Sequence, residues 1–247
     1  MSLSQAFIFA AGEGKRMRPL TKEMPKPLLK IKNKAIIGYS LDKINNHPSI
    51  KNIIINAYYL ADKVQEFINL ENNPKISLSY EHSKIETGGA LIYAKNKIDL
   101  SRPLLIINGD IIWSEAKNFC EISYIWQNWQ EIKGKNPNCK ILLGLKNKND
   151  IFGYDASLPN SGDFDMQSNN LYYFLNKPTN FVYTGMAIID PSILDQNIDK
   201  KCFSFSYFIK QNIDQNGLLI NTKGIELKSK FFHIGDCESY YKVQNII

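Results

Sequence analysis

The sequence predicts an α/β fold, a three-layer Rossmann-like arrangement with a mostly parallel sheet and a small β insertion. Short apolar runs alternate with amphipathic stretches through the first half, as is typical of βαβ units. The chain has 247 residues, of which 44% are hydrophobic and 22% charged, enough to bury a sizeable core. From Asn147 to Asn180 it becomes rich in Asn, Asp, Gly and Pro. We see no linker that divides the chain, so we expect one domain over residues 1–247.

The predicted elements follow in chain order. Short apolar runs predict buried strands at residues 6–10, 51–58, 76–80, 103–108, 140–146 and 181–190. Apolar side chains at helical spacing predict helices at 35–45, 61–69, 89–96, 115–132 and 203–216. The alternating stretch 170–176 lies between turn signals and predicts a hairpin or meander. That meander is the β insertion.

Composition limits the classes of partner. A net charge of +6 suits anionic substrates, but the lysines are spread along the chain, so we expect no nucleic acid partner. The four cysteines lack C-x-x-C spacing, which argues against a zinc knuckle or a disulfide framework. No apolar run reaches the roughly eighteen residues that span a bilayer, and residues 6–11 are too short for a signal peptide. We expect a cytoplasmic protein, monomeric or homodimeric, with no membrane partner.

A glycine-rich loop follows the first predicted strand. Gly12 and Gly14 carry no Cβ, so main-chain N–H groups there can closely approach a polyphosphate, and Arg16 adds positive charge. The dinucleotide fingerprint fails because Met17 stands at its third glycine, and the P-loop pattern is absent. A glycine pair alone also fits an ordinary βα turn. The loop therefore needs its context to be interpreted.

That context is an arm in which Pro25 and Pro27 flank Lys26. X-Pro pairs resist helix, so we expect them to fix Lys26 in extended backbone. From Gly12 to Leu28 the chain resembles the signature of the sugar-phosphate nucleotidylyltransferases, G-x-G-x-R-[LM]-x-P-L-T followed by P-K-P-L.

The resemblance implies that Arg16 contacts the leaving β- and γ-phosphates, and that Lys26 contacts the α-phosphate and the incoming sugar phosphate. It also implies that the nucleotide is bound by Ala10, Ala11, Gly12 and Gly14.

Two further motifs extend the resemblance. Glu86-Thr87-Gly88-Gly89 is predicted to open a helix whose free N–H groups face a base or ribose, and it resembles the segment in bacterial N-acetylmuramate-1-phosphate uridylyltransferases. The resemblance implies nucleotide contacts from Glu86 and Gly88. Asp110 ends a predicted strand, where ligands of α/β sheets gather, although an Asp there is otherwise often a turn former. In the family, N-G-D carries the aspartate that holds Mg²⁺, the implied cofactor.

The C-terminal segment departs from the family pattern. Phe231 to Tyr240 resembles a strand-then-helix segment that usually reads D-x-G-T-x-E. Aligned on Gly235, the metal aspartate falls on His233, and Asp236 falls on the threonine. The second metal ligand is therefore His233 or Asp236; we favour His233, with Asp236 beginning the helix.

The second half carries the implied sugar contacts. The turn around Asp163 and the segment containing Thr184 and Gly185 resemble the same uridylyltransferases, which implies that these three residues bind sugar. Lys177 resembles the lysine of an E-K-P motif in related thymidylyltransferases, but Asn176 replaces the glutamate.

The implied substrates are a nucleoside triphosphate, by preference UTP, and a sugar 1-phosphate, by preference N-acetylmuramate 1-phosphate. Three alternatives remain open. One is an enzyme like mannose-1-phosphate guanylyltransferase. Another is a glycosyltransferase whose D-x-D motif is Asp163-Phe164-Asp165, and the third is a pseudoenzyme that only binds nucleotide.

Overall fold

The computed structural model describes residues 2–157, 161–175, 177–196, 198 and 200–247. Its strands are β1 Gln5–Phe9, β2 Lys30–Ile31, β3 Lys34–Ala35, β4 Asn52–Ala57, β5 Ile76–Tyr80, β6 Leu104–Asn108, β7 Ile111–Ser114, β8 Ile141–Asn147, β9 Ile151–Phe152, β10 Asp165–Gln167, β11 Asn170–Tyr172, β12 Phe181–Ile189, β13 Leu218–Glu226 and β14 Lys230–His233. Its α-helices are α1 Ile36–Asn46, α2 Ala61–Glu71, α3 Glu86–Tyr93, α4 Glu121–Lys135, α5 Ser206–Ile209 and α6 Cys237–Gln244.

A nine-stranded sheet organises the described residues, in the order β10-β11-β13-β8-β12-β6-β1-β4-β5. Strands β6, β1, β4 and β5 are parallel neighbours. Strand β12 lies antiparallel between β6 and β8, and β13 pairs in parallel with β8. The pairings of β11 with β13 and β10 are antiparallel, so all strands of this sheet except β12 and β11 share one direction. The mostly parallel sheet is confirmed, and the predicted meander extends its edge.

Helices cover both faces of this sheet and complete three layers. Along β1, Ala6 and Ile8 pack into a core that includes the apolar faces of α1, α2 and α4. Phe7 points to the opposite face, into a core shared with α3 and α5. Successive side chains of a strand point to opposite faces, so these strands are apolar throughout. The α/β class predicted from the sequence is confirmed.

A second, three-stranded sheet, β7-β14-β9, lies beside the carboxyl end of β6. Together with α6 it covers a third small core that includes Met17, Phe232 and Tyr240. Strand β14 is antiparallel to β7, with His233 opposite Ile111. This register brings the C-terminal segment next to Asp110, which lies two residues after the end of β6.

Two helices differ from the prediction. The one expected over 115–132 runs over Glu121–Lys135, because Glu115 caps its start: Oε1 of Glu115 accepts hydrogen bonds from the backbone N–H of Glu121 and from Nε1 of Trp113. The one expected over 203–216 is only the short α5, since a turn closed by Asp214 and Gly217 follows. Asp, Asn and Gly are residues that form such turns.

Strand β13 was not predicted, because its polar positions break the apolar run. No helix in the described part of the chain combines the length and the apolar character that crossing a bilayer requires.

Candidate active site

A cleft of about 600 Å³ opens at the carboxyl ends of β1, β4, β5 and β6. The glycine-rich loop and the arm form one wall, and the segment leading into α3 forms another. Carboxyl ends of parallel strands are where α/β sheets bind ligands. Of the predicted site residues, those that line the cleft are Ala11, Gly12, Gly14, Arg16, Lys26, Glu86 and Asp110.

An ion pair joins the arm to the end of β6. Nζ of Lys26 lies 2.6 Å from Oδ2 of Asp110. Gly109 places Asp110 by lying against β1: its N–H donates to the carbonyl of Phe9 at 2.8 Å, and a Cβ there would lie 2.7 Å from that oxygen. Only glycine fits so close an approach. The pair therefore depends on backbone geometry at both ends.

The arm around Lys26 was predicted to be extended, and the structure corrects this at the lysine itself. Pro25 is extended, with φ −58° and ψ 140°, but Lys26 begins a 3₁₀ turn over Lys26–Leu28. The backbone N–H of Leu29 donates to the carbonyl of Lys26 at 3.1 Å. The first residues of a 3₁₀ turn make no hydrogen bond through their backbone N–H groups. Pro27, which has no N–H, is therefore tolerated there. The lysine is fixed by this turn rather than by an extended chain.

The charge of Lys26 controls the ionisation of Asp110. Burial alone would raise the pKa of Asp110, but the Lys26 ammonium, which is both a charge and a hydrogen-bond donor, outweighs it and holds the pKa below its usual range. The cleft thus presents an ionised carboxylate at neutral pH. Its side chain remains 36% exposed, against 11% for that of Lys26.

His233 lies close to this pair. Gly235 gives it room, because a Cβ at residue 235 would lie 2.4 Å from Nε2 of His233. The ring of Tyr154 meets the imidazole edge-on, with centroids 5.9 Å apart. Burial lowers the pKa of His233, Asp110 opposes this, and Lys26 and Arg16 reinforce it. The imidazole is therefore neutral at neutral pH and keeps a lone pair.

Asp236 has a different environment. It is exposed and caps α6: its Oδ1 accepts from the backbone N–H of Ser239 at 2.8 Å, and the Ser239 hydroxyl bonds back to the N–H of Asp236. This reciprocal capping box lowers the pKa of Asp236, chiefly through the bond from the Ser239 backbone. The carboxylate is thus already engaged at the start of the helix.

The glycine loop offers space at one glycine and close packing at the other. No atom lies within 4 Å of a Cβ built on Gly12, so that face of the backbone is open. Gly14 has φ 59°, and a Cβ there would meet Thr21 at 3.0 Å and Lys26 at 3.1 Å. Ala10 does not line the cleft: its N–H donates to Oδ1 of Asn56 at 2.8 Å. The geometry does not support a nucleotide contact from Ala10.

The prediction that Glu86 to Gly89 opens a helix is confirmed, but the N–H groups of this helix start are not all free as predicted. The helix begins at Glu86, whose φ of 58° is left-handed, a strain that tends to persist at functional sites. The N–H of Gly88 donates to the carbonyl of Phe203 at 2.8 Å, and a Cβ at Gly88 would lie 2.4 Å from the Phe203 ring. Gly88 is buried beneath Phe203 and does not line the cleft. Thr87 and Glu86 line it instead, so the geometry does not support the base contact predicted for Gly88.

The three predicted sugar contacts lie outside the cleft lining. Thr184 is buried, and its Oγ1 donates to the carbonyl of Gly144 at 2.8 Å, where β12 bulges. Gly185 packs against the cleft residue Asn108, since a Cβ there would lie 2.8 Å from the Asn108 amide nitrogen. Asp163 accepts a hydrogen bond from the N–H of Tyr183 at 2.8 Å. Only Gly185 is shown to pack against a residue that lines the cleft.

Both aspartates of the D-x-D motif accept hydrogen bonds from residues in or directly before β12. Asp163 accepts from the backbone of Tyr183, and Oδ1 of Asp165 accepts two hydrogen bonds from Asn180, both at 3.0 Å. Lys177 is exposed, with its ammonium 5.1 Å from the centre of the Phe174 ring, and Asn176 lies outside the described residues.

Among the cleft residues that sequence reasoning missed are Asn56 and Glu81. Asn56 is in β4 and Glu81 follows β5, and both are nearly fully buried. Nδ2 of Asn56 donates to Oε1 of Glu81 at 2.6 Å. The available signal was that Glu81, like Asp110, is a carboxylate directly after a predicted strand.

The chain is similar to known proteins over most of its length. A family model described as nucleotidyl transferase matches residues 5–245. The chain belongs to the nucleotidyl transferase family. Among solved structures, this family member is similar to HddC from Yersinia pseudotuberculosis complexed with GMP-PN, with a TM-score of 0.72, 21% identity and 99% of each chain covered. At that identity the likeness shows the fold.

Two curated relatives are similar in sequence. "Bifunctional protein GlmU" of Methanococcus maripaludis is 34% identical over 111 residues, which are 45% of this chain and 26% of the relative. "N-acetylmuramate alpha-1-phosphate uridylyltransferase" of Caulobacter vibrioides is 28% identical over 195 residues, or 76% of each chain. The matches to GlmU proteins thus span about a quarter to a half of those relatives' length.

Proposed function

We propose that this family member transfers a nucleotidyl group from a nucleoside triphosphate to a sugar 1-phosphate and releases pyrophosphate. The observation that carries the proposal is the pair of Lys26 and Asp110, joined at 2.6 Å in the lining of the cleft that the glycine loop also lines. An ammonium and an ionised carboxylate fixed side by side can hold a phosphate and its counter-ion together. The two residues reach this position from segments far apart in the chain.

The chain's own residues act by positioning and charge. The open backbone face at Gly12 and the exposed guanidinium of Arg16 hold the β- and γ-phosphates, which leave as pyrophosphate. The Lys26 ammonium contacts the α-phosphate, where negative charge builds as the sugar phosphate oxygen attacks in line. The P–O bond to the attacking oxygen forms as the bond to the pyrophosphate oxygen breaks, so no protein nucleophile is required.

The residues present fit Mg²⁺. The described residues contain no group of three or more His, Cys, Asp or Glu side chains arranged to hold a metal. Mg²⁺ is usually held by one or two carboxylates together with phosphate oxygens and water, and the ionised Asp110 supplies such a ligand. His233, neutral and nearby, is the second candidate ligand. When bound, the ion neutralises phosphate charge.

Within this reaction we propose UTP and N-acetylmuramate 1-phosphate as the substrates. The Glu86 to Gly89 segment and the turn at Asp163 support this choice by their resemblance to uridylyltransferases. Two curated relatives named for that activity also support it, one at 28% identity over 195 residues and one at 32% over 111. A guanylyltransferase acting on mannose 1-phosphate is the second candidate.

The test is a grid of nucleoside triphosphates against sugar 1-phosphates, measured as pyrophosphate formed. We expect the highest turnover with UTP and N-acetylmuramate 1-phosphate. Equal or greater turnover with GTP and mannose 1-phosphate would favour the second candidate. Binding of nucleotide with no pyrophosphate from any pair would leave a pseudoenzyme, and sugar transfer from a nucleotide sugar without pyrophosphate would indicate a glycosyltransferase.

A further inference from the structure

The glycine-rich loop and the lysine arm are not held by strand pairing. The structure describes every residue from 12 to 28, and this segment contains two 3₁₀ turns, Lys15–Met17 and Lys26–Leu28, but no strand. Of the first turn only Met17 is buried, in the small core beside α6. Individual side-chain and backbone contacts must therefore fix the spacing between the loop and the lysine.

The carbonyl of Gly14 is held by two donors. The backbone of Gly14 is left-handed, with φ 59°, but glycine enters that region about as readily as the right-handed one, so conformational preference alone does not fix it. The N–H of Met17 and the hydroxyl of Thr21 both donate to this carbonyl, each at 2.9 Å. Since a trans peptide group is planar, these bonds also orient the peptide that joins Gly14 to the cleft residue Lys15.

Thr21 is linked to Lys26 through Gly14. A Cβ built on Gly14 would meet the Thr21 methyl group at 3.0 Å and Cβ of Lys26 at 3.1 Å, so Gly14 packs against both residues. Thr21 is fully buried and does not line the cleft. A movement of Thr21 would therefore reach the substrate only through the loop and the lysine.

Tyr59 holds Thr21 from outside the arm. It lies two residues after β4, and its hydroxyl donates to the carbonyl of Thr21 at 2.8 Å and to that of Lys22 at 3.0 Å. Such a three-centre hydrogen bond ties the turn before the lysine arm to the connection between β4 and α2. Tyr59 does not line the cleft either. The contacts thus run from Tyr59 through Thr21 and Gly14 to Lys26.

We propose that Tyr59 is a positioning residue for nucleotidyl transfer, whose hydroxyl acts through Thr21 to hold the glycine-rich loop in place against Lys26. The inference rests on the proposed function, in which the loop holds the β- and γ-phosphates and Lys26 contacts the α-phosphate. A triphosphate bound at the loop meets the ammonium correctly only while this spacing is kept, because in-line attack tolerates little misplacement. Loss of the hydroxyl should therefore affect turnover more than binding.

The test compares Tyr59→Phe, which removes only the hydroxyl, with Tyr39→Phe as the matched control. The Tyr39 hydroxyl donates to the carbonyl of Ile31 at 2.7 Å, and neither residue lines the cleft. Steady-state kinetics use the substrate pair that forms most pyrophosphate. We expect Tyr59→Phe to lower kcat on the order of tenfold while KM for the triphosphate changes less than about threefold. Tyr39→Phe should leave both constants unchanged.

Variants of Thr21 test whether the two residues act together. Thr21→Val removes the hydroxyl and should lower kcat as Tyr59→Phe does, whereas Thr21→Ser keeps the donor and should retain most of the turnover. Combining Tyr59→Phe with Thr21→Val should lose less than the product of the single losses, because residues in one hydrogen-bond network are not additive. Losses that simply multiply would contradict the inference. Should Tyr59→Phe not fold, equal kcat in Thr21→Val and Thr21→Ser would contradict it instead.

Unchanged kcat in Tyr59→Phe overturns the inference, and so does an equal loss in Tyr39→Phe. Amide hydrogen exchange of Met17, whose N–H donates to Gly14, gives a readout that needs no catalysis. We expect exchange on the order of tenfold faster in Tyr59→Phe and unchanged in Tyr39→Phe.

These outcomes are distinguishable from failure of the proposed function. Pyrophosphate formation with unchanged kcat and exchange in Tyr59→Phe rejects only the inference. Faster exchange in a protein that forms pyrophosphate with no substrate pair rejects the function and still supports the hold of Tyr59 on the loop.

Discussion

Lys26 and Asp110, which are 84 residues apart in the chain, form an ion pair with 2.6 Å between Nζ and Oδ2. The lysine is buried in a 3₁₀ turn, and the aspartate follows a buried strand. An ammonium fixed before the substrate arrives needs no reorganisation as charge develops on the transferring phosphate. The contact is therefore expected to matter more to the transition state than to the ground state.

Lys26→Ala should lower kcat/KM for pyrophosphate formation by on the order of a hundredfold or more, because it removes one preorganised electrostatic contact. The control is Lys30→Ala, which removes an exposed lysine four residues further on and should leave kcat/KM unchanged. Steady-state kinetics on proteins with native circular dichroism measure this. A loss under about threefold for Lys26→Ala would remove the residue from the mechanism.

His233 and Asp236 should respond differently to substitution. His233→Asp should keep or raise Mg²⁺ affinity, because a carboxylate is a better ligand for Mg²⁺ than an imidazole. Asp236→Ala should leave the Mg²⁺ dependence intact and lower stability by about 1 kcal/mol through the lost helix cap. Titration of Mg²⁺ against turnover measures the first effect, and urea unfolding measures the second.

If both variants lose metal-dependent activity while remaining folded, Asp236 is the second ligand. The alignment of His233 with the family's metal aspartate would then be wrong.

Gly88→Ala should destabilise the protein by about 1–3 kcal/mol, because the new Cβ would lie 2.4 Å from the Phe203 ring and force one of them to shift. Gly134→Ala is the matched control: nothing lies within 4 Å of its Cβ, near the end of α4. In a helix this change should be neutral or stabilising. Urea unfolding compares the two. Unchanged stability in Gly88→Ala with a raised KM for nucleotide would restore the predicted base contact.

Asp190, which does not line the cleft, forms ion pairs with two lysines. Its Oδ2 lies 3.0 Å from Nζ of both Lys133 and Lys140. Burial would raise the pKa of Asp190, but hydrogen bonds from Ser192, Lys140 and Lys133 hold it far below its usual range. A lowered folded-state pKa gives stability that is complete above the ordinary value near 3.8 and is lost as the pH falls through the folded value.

Asp190→Asn should therefore cost about 1–2 kcal/mol at pH 7, after discounting for partial exposure, and the difference should shrink below about pH 4. Asp195→Asn is the control, since its ion pair with Lys95 is exposed and should contribute little. Thermal unfolding across pH measures both. A difference that grows on acidification would contradict the assignment.

The sequence predicts the parts of this site that depend on local rules. Asp110 follows a predicted strand, and Lys26 belongs to the arm that resembles the family signature, so both side chains could be assigned to the site from the sequence. The role of Gly88 could not be predicted, because Phe203, which covers it, lies over a hundred residues later. Glu81 was missed for a similar reason, since the hydrogen bonds that link Ala10, Asn56 and Glu81 connect the ends of three different strands.

The most direct test of nucleotidyl transfer is phosphorus NMR of UTP, N-acetylmuramate 1-phosphate, Mg²⁺ and the protein. If the protein transfers a nucleotidyl group, the triphosphate and sugar phosphate signals disappear together, and a diphosphodiester and pyrophosphate appear in equal amounts. Formation of inorganic phosphate or UDP, or unchanged signals with every nucleotide and sugar phosphate tried, would contradict it.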